Sequence, residues 1–144
     1  MPAYTISCDP NRLNFDLIHD FISDSYWAKE IPRDVMKQAI EHSLCFGVYT
    51  DTAEQVGFAR MITDKATFAY LADVFIVEAH RGKGLSKQLV EAIMQHPDLQ
   101  GLRRVMLATK DAHGLYAQFG FETPEDPSIL MQICRPDIYT KRGE

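Results

Sequence analysis

The sequence has 144 residues, a formal net charge of −5 and 46% hydrophobic residues. This composition is typical of one globular domain over residues 1–144 and argues against wholesale disorder. The negative charge disfavours a nucleic acid partner, and no window approaches the roughly 20 apolar residues that a membrane span requires. The first residues lack the apolar stretch of a signal peptide, so we expect a cytoplasmic protein with no membrane partner.

The three cysteines point to neither a metal site nor a disulfide framework. Cys8, Cys45 and Cys134 are odd in number and far apart. They lack the Cys-x-x-Cys spacing and the nearby histidine that a zinc site needs. The sequence therefore predicts buried free thiols in a reducing compartment and no bound metal.

The first half of the chain predicts one strand, two helices and a hairpin. Alternation predicts the first strand, and apolar residues at helical spacing predict both helices, the second one beginning near Pro32 with a stripe that reaches Leu44. The elements are a strand at 4–8, a helix at 14–25, a second helix at 32–44, and hairpin strands at 45–49 and 55–62.

The second half predicts a strand–helix–strand unit with a short helix and one more strand. These elements are a long strand at 67–77, a helix from a glycine-rich turn to about His96, a strand at 104–108, a helix at 112–119 with Gly120 as its cap, and a strand at 127–134. The order predicts a mixed α/β (α+β) fold, antiparallel in its first half.

The segment from Arg81 to Ser86 (Arg-Gly-Lys-Gly-Leu-Ser) joins the long strand to the next helix. Its glycines allow backbone N–H groups to converge, and the helix start adds the positive end of its dipole. Arg81 and Lys83 add positive charge, so the segment is either a site for a pyrophosphate or only a tight strand–helix turn with a solvated arginine and lysine. It has neither the spacing of a P-loop nor the third glycine of a dinucleotide fingerprint.

A second motif runs from Asp111 to Phe121 and reads Asp-Ala-His-Gly-Leu-Tyr-Ala-Gln-Phe-Gly-Phe. The first motif resembles the Arg/Gln-x-x-Gly-x-Gly/Ala signature of the GNAT superfamily of N-acetyltransferases, and this one resembles that family's Asn-Ala-x-x-Leu-Tyr-x-x-x-Gly-Phe segment. The order of elements is similar too, so the resemblance covers nearly the whole chain. Two residues depart from it, because Ser86 stands at the Gly/Ala position and Asp111 replaces the asparagine.

The resemblance implies a twisted, mostly antiparallel sheet of 6–7 strands with helices on both faces. It also implies that two parallel strands splay apart to hold acetyl-CoA as co-substrate, with backbone groups pairing with the pantetheine amides and the glycine-rich turn binding the pyrophosphate. The implied cofactor-binding residues are Phe75, Ile76, Val77, Arg81, Gly82, Lys83, Gly84, Leu85, Ser86, Asp111 and Tyr116.

Two side chains are the catalytic candidates. The family's matching tyrosine protonates the departing CoA thiolate, so the resemblance implies this role for Tyr116. Asp73 interrupts an apolar run, and a buried carboxylate needs a partner. It either orients or deprotonates the amine, or it binds backbone groups structurally. Tyr70 is the alternative to it.

Tyr26 and Trp27 end the first helix, where the family commonly builds its acceptor pocket. This aromatic pair either brackets a cationic substrate or packs the core. The leading hypothesis is acetyl transfer to a primary amine of a small molecule. Peptide or protein N-acetylation and a non-catalytic acyl-CoA-binding module are the alternatives. A homodimer is also among the implications of the resemblance.

Overall fold

The computed structural model describes residues 3–140, which form one five-stranded sheet with helices against it. The strands are β1 (Tyr4–Ser7), β2 (Leu44–Thr50), β3 (Gln55–Thr63), β4 (Phe68–Ile76) and β5 (Arg104–Met106). The α-helices are α1 (Phe15–Ser23), α2 (Arg33–Glu41), α3 (Leu85–Gln95) and α4 (His113–Ala117). Short 3-10 turns lie at Pro10–Arg12, Glu78–His80, Pro97–Leu99 and Pro127–Ile129.

The strands lie in the sheet in chain order, β1-β2-β3-β4-β5. The first three pairings are antiparallel, whereas β4 and β5 run parallel. A parallel pair requires a crossover, and the glycine-rich turn with α3 supplies it. The mixed, mostly antiparallel sheet is therefore confirmed, but residues 3–140 form five strands rather than the 6–7 that the resemblance implies.

Each face of the sheet carries its own apolar core because side chains alternate along each strand. Phe46 and Met61 pack with α3 and α4 on one face, whereas Cys45, Phe58 and Phe75 pack with α1 and α2 on the other. Helices therefore cover both faces, as expected.

Most element boundaries lie within a few residues of the predicted ones. Asn14 caps α1, because its side chain accepts a hydrogen bond from the N–H of Leu17. The apolar stripe predicted for α2 extended beyond the helix, as far as Leu44. That helix ends at Glu41, and Leu44 begins β2 instead.

The strand predicted at 127–134 is wrong. Its residues form the 3-10 turn Pro127–Ile129 followed by irregular chain, and they pair with no strand among residues 3–140. The alternating apolar side chains there, including Met131 and Ile133, are exposed. Alternation predicts a strand only where a neighbouring strand completes its hydrogen bonds, and this segment has none within the described chain.

Three further findings concern the described residues. None of their helices is long and apolar enough to cross a membrane. Between residues 3 and 140, no group of three or more His, Cys, Asp or Glu side chains is placed to hold a metal ion. Cys8, Cys45 and Cys134 are free thiols, but the predicted burial holds for Cys45 alone, since Cys8 is half-buried and Cys134 is exposed.

Candidate active site

A cleft of about 1100 Å³ opens where β4 and β5 cease to pair. Their ladder has only three residue pairs and ends at Tyr70 opposite Met106, but β4 continues to Ile76. Beyond the ladder, both β4 and the chain from Leu107 to Ala112 line the cleft. One side of β4 is thus left without a strand partner in the described structure, facing a space of ligand size.

A β-bulge shapes β4 where it borders the cleft. Phe58 of β3 pairs with Phe75, but Arg60 pairs with Ala72, so one residue of β3 lies opposite two of β4. Asp73 sits in this bulge with a φ of 57°, in the left-handed region that few non-glycine residues adopt. Such strain is stored where the surrounding structure holds it, commonly at functional sites.

Asp73 is buried and both its carboxylate oxygens have partners. Oδ2 accepts a hydrogen bond from Nε of Arg60 at 2.6 Å, and Oδ1 accepts one from the indole Nε1 of Trp27 at 2.8 Å. Nη1 of Arg60 also donates to Oγ of Ser43 at 3.1 Å. The expectation that this carboxylate needs a partner is confirmed. Its partners fix its position at the cleft and hold Trp27 in place.

The glycine-rich turn leads from β4 into α3. Gly82 and Gly84 have φ of 79° and 75°, and no atom lies within 4 Å of a Cβ added at either position. Gly84 is the N-cap of α3 and provides no side-chain cap, so N–H groups of the first turn stay available to an anion. Arg81 and Ser86 line the cleft beside this turn.

The predicted cofactor residues divide into two groups. Phe75, Ile76, Arg81, Ser86, Asp111 and Tyr116 line the cleft, whereas Val77, Gly82, Lys83, Gly84 and Leu85 do not. Leu85 is a core residue, and the Val77 N–H donates to the carbonyl of Val56. Nζ of Lys83 donates to the hydroxyl of Tyr4 at 3.2 Å. Arg81 is therefore the turn's cationic side chain that faces the cleft.

Tyr116 on α4 is 8% exposed and lines the cleft with its ring set edge-on to Phe121. Burial raises the pKa of its hydroxyl above the ordinary value of 10.0. The phenol therefore stays protonated at neutral pH, which is the state that a general acid must have.

The predicted acceptor residues also border the cleft. Tyr26, Trp27 and Tyr70 all line it, and the rings of Tyr26 and Trp27 are edge-to-face at 5.1 Å. Nζ of Lys110 lies 4.1 Å from the centre of the Tyr26 ring. The aromatic pair is exposed rather than packed in the core, and a cation of the chain itself already covers the Tyr26 ring.

Sequence reasoning missed four charged residues of this region. Asp20 and Asp24 line the cleft from α1 and its C-terminal cap, and Asp24 also pairs with Lys29. Nothing in the sequence around Lys110 indicated that it belongs to this region. Arg60 did have a signal, because a charged residue within the apolar run of β3 needs a buried partner just as Asp73 does.

Comparison with known proteins agrees with this geometry. The sequence model of the acetyltransferase (GNAT) family matches residues 14–121. A candidate acetyltransferase from Gibberella zeae is 36% identical over 137 residues, covering 80% of this chain and 76% of that protein. A crystal structure of a candidate GNAT-family acetyltransferase from Xanthomonas campestris pv. campestris is 54% identical, with a TM-score of 0.94 over 98% of this chain and 99% of that one.

A more distant solved structure shares the fold. It is an aminoglycoside N-acetyltransferase in complex with CoA, 17% identical, with a TM-score of 0.63 over 94% of this chain and 96% of that one. The family match spans most of the chain, so this protein belongs to the GNAT acetyltransferase family and is an acetyl-CoA-dependent transferase.

Proposed function

We propose that this enzyme transfers the acetyl group of acetyl-CoA to the primary amine of a small, positively charged molecule by direct attack. The observation that carries the proposal is the cleft at the end of the β4–β5 ladder. Arg81 of the glycine-rich turn, the Tyr116 phenol, and aromatic and acidic side chains all line this one cleft.

Three features of the cleft fit acetyl-CoA. The unpaired side of β4 suits the pantetheine amides, which would hydrogen-bond to backbone groups near Phe75 and Ile76 as an added strand does. The open turn with Gly82 and Gly84 suits the pyrophosphate, since its N–H groups converge without side-chain obstruction. Arg81 adds a positive charge that faces the same space.

Bound acetyl-CoA supplies an activated thioester, and the chain supplies position and charge. A backbone N–H near Val74–Ile76 polarises the acetyl carbonyl. The Tyr116 phenol gives its proton to the sulfur as the carbon–sulfur bond breaks, and its raised pKa keeps that proton available at neutral pH. Holding the amine and carbonyl in contact contributes the remaining acceleration.

Asp73 orients the amine in this proposal. Both its oxygens already accept hydrogen bonds from Arg60 and Trp27, so its negative charge is fixed in direction. Arg60 compensates that charge, so Asp73 offers an approaching ammonium group hydrogen-bond acceptors at a fixed position, and Asp20 and Asp24 add negative charge to the cleft. The ammonium loses one proton to water before its nitrogen attacks, and the second proton, released once the carbon–nitrogen bond has formed, restores the Tyr116 phenol through water. The same carboxylates disfavour acceptors that carry their own carboxylate near the amine.

The test combines turnover with binding. Release of free CoA is followed with a panel of diamines, neutral-tailed amines, amino acids and peptides, and acetyl-CoA binding is measured by calorimetry. We expect the diamines to be the best acceptors. Tyr116→Phe should lower kcat by about 10²–10⁴-fold and leave acetyl-CoA affinity nearly unchanged.

Tyr49→Phe is the matched control, since it also removes a phenol hydroxyl but lies outside the cleft. The Tyr49 hydroxyl is buried without a hydrogen-bond partner among residues 3–140, so turnover should not change. Equal turnover of wild type and Tyr116→Phe would overturn the acid role, and a wild type that binds acetyl-CoA without turning over any acceptor would favour a binding module. A wild type that binds no acetyl-CoA would overturn the proposal altogether.

A further inference from the structure

Lys110 places a primary amine of the chain itself in the cleft. Its side chain is exposed and lines the cleft, and its Nζ lies 4.1 Å from the centre of the Tyr26 ring. This cation–π contact holds the ammonium group at the wall of the cleft. Several carboxylates line the same cleft, yet Lys110 forms an ion pair with none of them in the described chain. The amine is therefore held by an aromatic ring and not by a salt bridge.

The strand register puts Lys110 level with the backbone assigned to the acetyl carbonyl. The parallel ladder of β4 and β5 ends at Tyr70 opposite Met106, and Val74 and Lys110 each lie four residues beyond that pair. Extended chains advance by about 3.3 Å per residue, so the two residues lie at about the same distance from the end of the ladder. Both line the cleft. Lys110 thus stands across the cleft from Val74.

Side-chain contacts connect Lys110 to the same place. The Tyr26 ring lies edge-to-face with Trp27 at 5.1 Å, and the indole Nε1 of Trp27 donates to Oδ1 of Asp73 at 2.8 Å. Asp73 directly precedes Val74. An exposed side chain changes rotamer within nanoseconds, so Nζ can leave the ring and swing into the cleft. Tethered in this way, the amine acts at an effective concentration on the order of millimolar or more, which a free acceptor has to match.

We propose that Lys110 is an acetylation site of this enzyme, modified in its own cleft when no free acceptor is bound. This rests on the proposed function, which places the acetyl group beside Val74–Ile76. The Lys110 ammonium loses one proton to water, its nitrogen bonds to the carbonyl carbon, and the carbon–sulfur bond breaks as the sulfur takes the Tyr116 proton. The second proton of the amine then restores the phenol through water. The products are Nε-acetyllysine and free CoA.

Acetylation of Lys110 also changes the acceptor side of the cleft. It removes the positive charge that covers the Tyr26 ring, so the ring becomes free for a cationic acceptor. Before modification, Lys110 and such an acceptor use the same ring and exclude each other. A diamine that the enzyme turns over should therefore slow the acetylation of Lys110.

The test is peptide mass spectrometry after incubation with acetyl-CoA that carries a carbon-13 acetyl group. Lys110 should be labelled in a first-order reaction whose rate constant does not depend on enzyme concentration, because the reaction is intramolecular. Lys37 of α2 is the matched control, since it is an exposed lysine outside the cleft and reports chemical acetylation. Labelling of Lys110 should be at least about 100-fold faster than that of Lys37.

Two further measurements separate enzymatic from chemical labelling. Excess free CoA, which fills the cleft without an acetyl group, should suppress labelling of Lys110 and leave Lys37 unchanged. Tyr116→Phe should slow Lys110 by about 10²–10⁴-fold, as it slows turnover of a free acceptor. Unlabelled acetyl-Lys110 already present in purified wild type and absent from purified Tyr116→Phe would count as the same result.

The outcomes distinguish this proposal from the proposed function. Lys110 labelled no faster than Lys37, or labelled equally with excess CoA, would overturn self-acetylation even if diamines are turned over. So would a Tyr116→Phe variant that loses acceptor turnover but labels Lys110 at the wild-type rate, or a diamine that is turned over without slowing Lys110. Rapid, CoA-sensitive labelling of Lys110 with no turnover of any amine would support self-acetylation and overturn the small-molecule acceptor instead.

Discussion

Arg60→Ala tests whether the buried ion pair at the bulge holds the site together. The Arg60 and Asp73 side chains are only 16% and 5% exposed, and the Nε–Oδ2 distance is 2.6 Å. Removing the guanidinium leaves a buried carboxylate with Trp27 as its remaining partner, which costs about 3–5 kcal/mol. Domains of this size are stable by about 5–15 kcal/mol, so the variant folds but melts about 10 °C or more below wild type.

The assay is urea unfolding at 25 °C, with Arg33→Ala as control. Arg33 and Asp16 have the same 2.6 Å contact, but their side chains are 56% and 75% exposed. Such a surface pair contributes about 0–1 kcal/mol. Adding Asp73→Asn to Arg60→Ala should recover part of the lost free energy of unfolding, since it removes the carboxylate charge that Arg60→Ala leaves unpaired. If Arg60→Ala and Arg33→Ala lose equal stability, the argument from burial is refuted.

Three further outcomes follow from individual side chains. Arg81→Ala should weaken acetyl-CoA binding about 10–100-fold in calorimetry. Lys83→Ala should change the affinity little, because Lys83 points to Tyr4. Equal losses of affinity in the two variants would contradict this placement. Burial raises the pKa of Cys45 from 9.0 to about 12, so a thiol reagent at pH 8 should modify it about 1000-fold more slowly than a free thiol. Hydrogen bonds from Thr67 and its neighbours lower the pKa of Asp64, so the stability that its carboxylate provides is present at neutral pH and lost in acid. The melting-temperature difference between wild type and Asp64→Asn should shrink below about pH 4, and a constant difference would contradict it.

Local signals made most of the fold predictable. The asparagine that caps α1 and the glycines that precede α3 mark the starts of those helices in the sequence itself. The prediction of a last strand was wrong because it depended on more than local signals. Residues 127–134 have the apolar alternation of a strand, but a strand also needs a partner, and local patterning carries no information about partners.

The candidate site was predictable as a set of residues and not as a set of contacts. Asp73 was recognisable as a buried charge needing a counterion. Its pairing with Arg60 depends on the register of β3 against β4 and on the bulge between them, which a single sequence does not specify. The direction of Lys83 toward Tyr4 depends likewise on where β1 lies.

The indole of Trp27 gives this enzyme a built-in spectroscopic reporter. The chain contains a single tryptophan, and it stands at the mouth of the cleft, 45% exposed, with its N–H bonded to Asp73. All tryptophan emission therefore comes from one position beside the Asp73 carboxylate. An acceptor that takes up the Asp73 carboxylate must disturb that indole, so its occupancy can be followed by intrinsic fluorescence without a label or a coupled reaction.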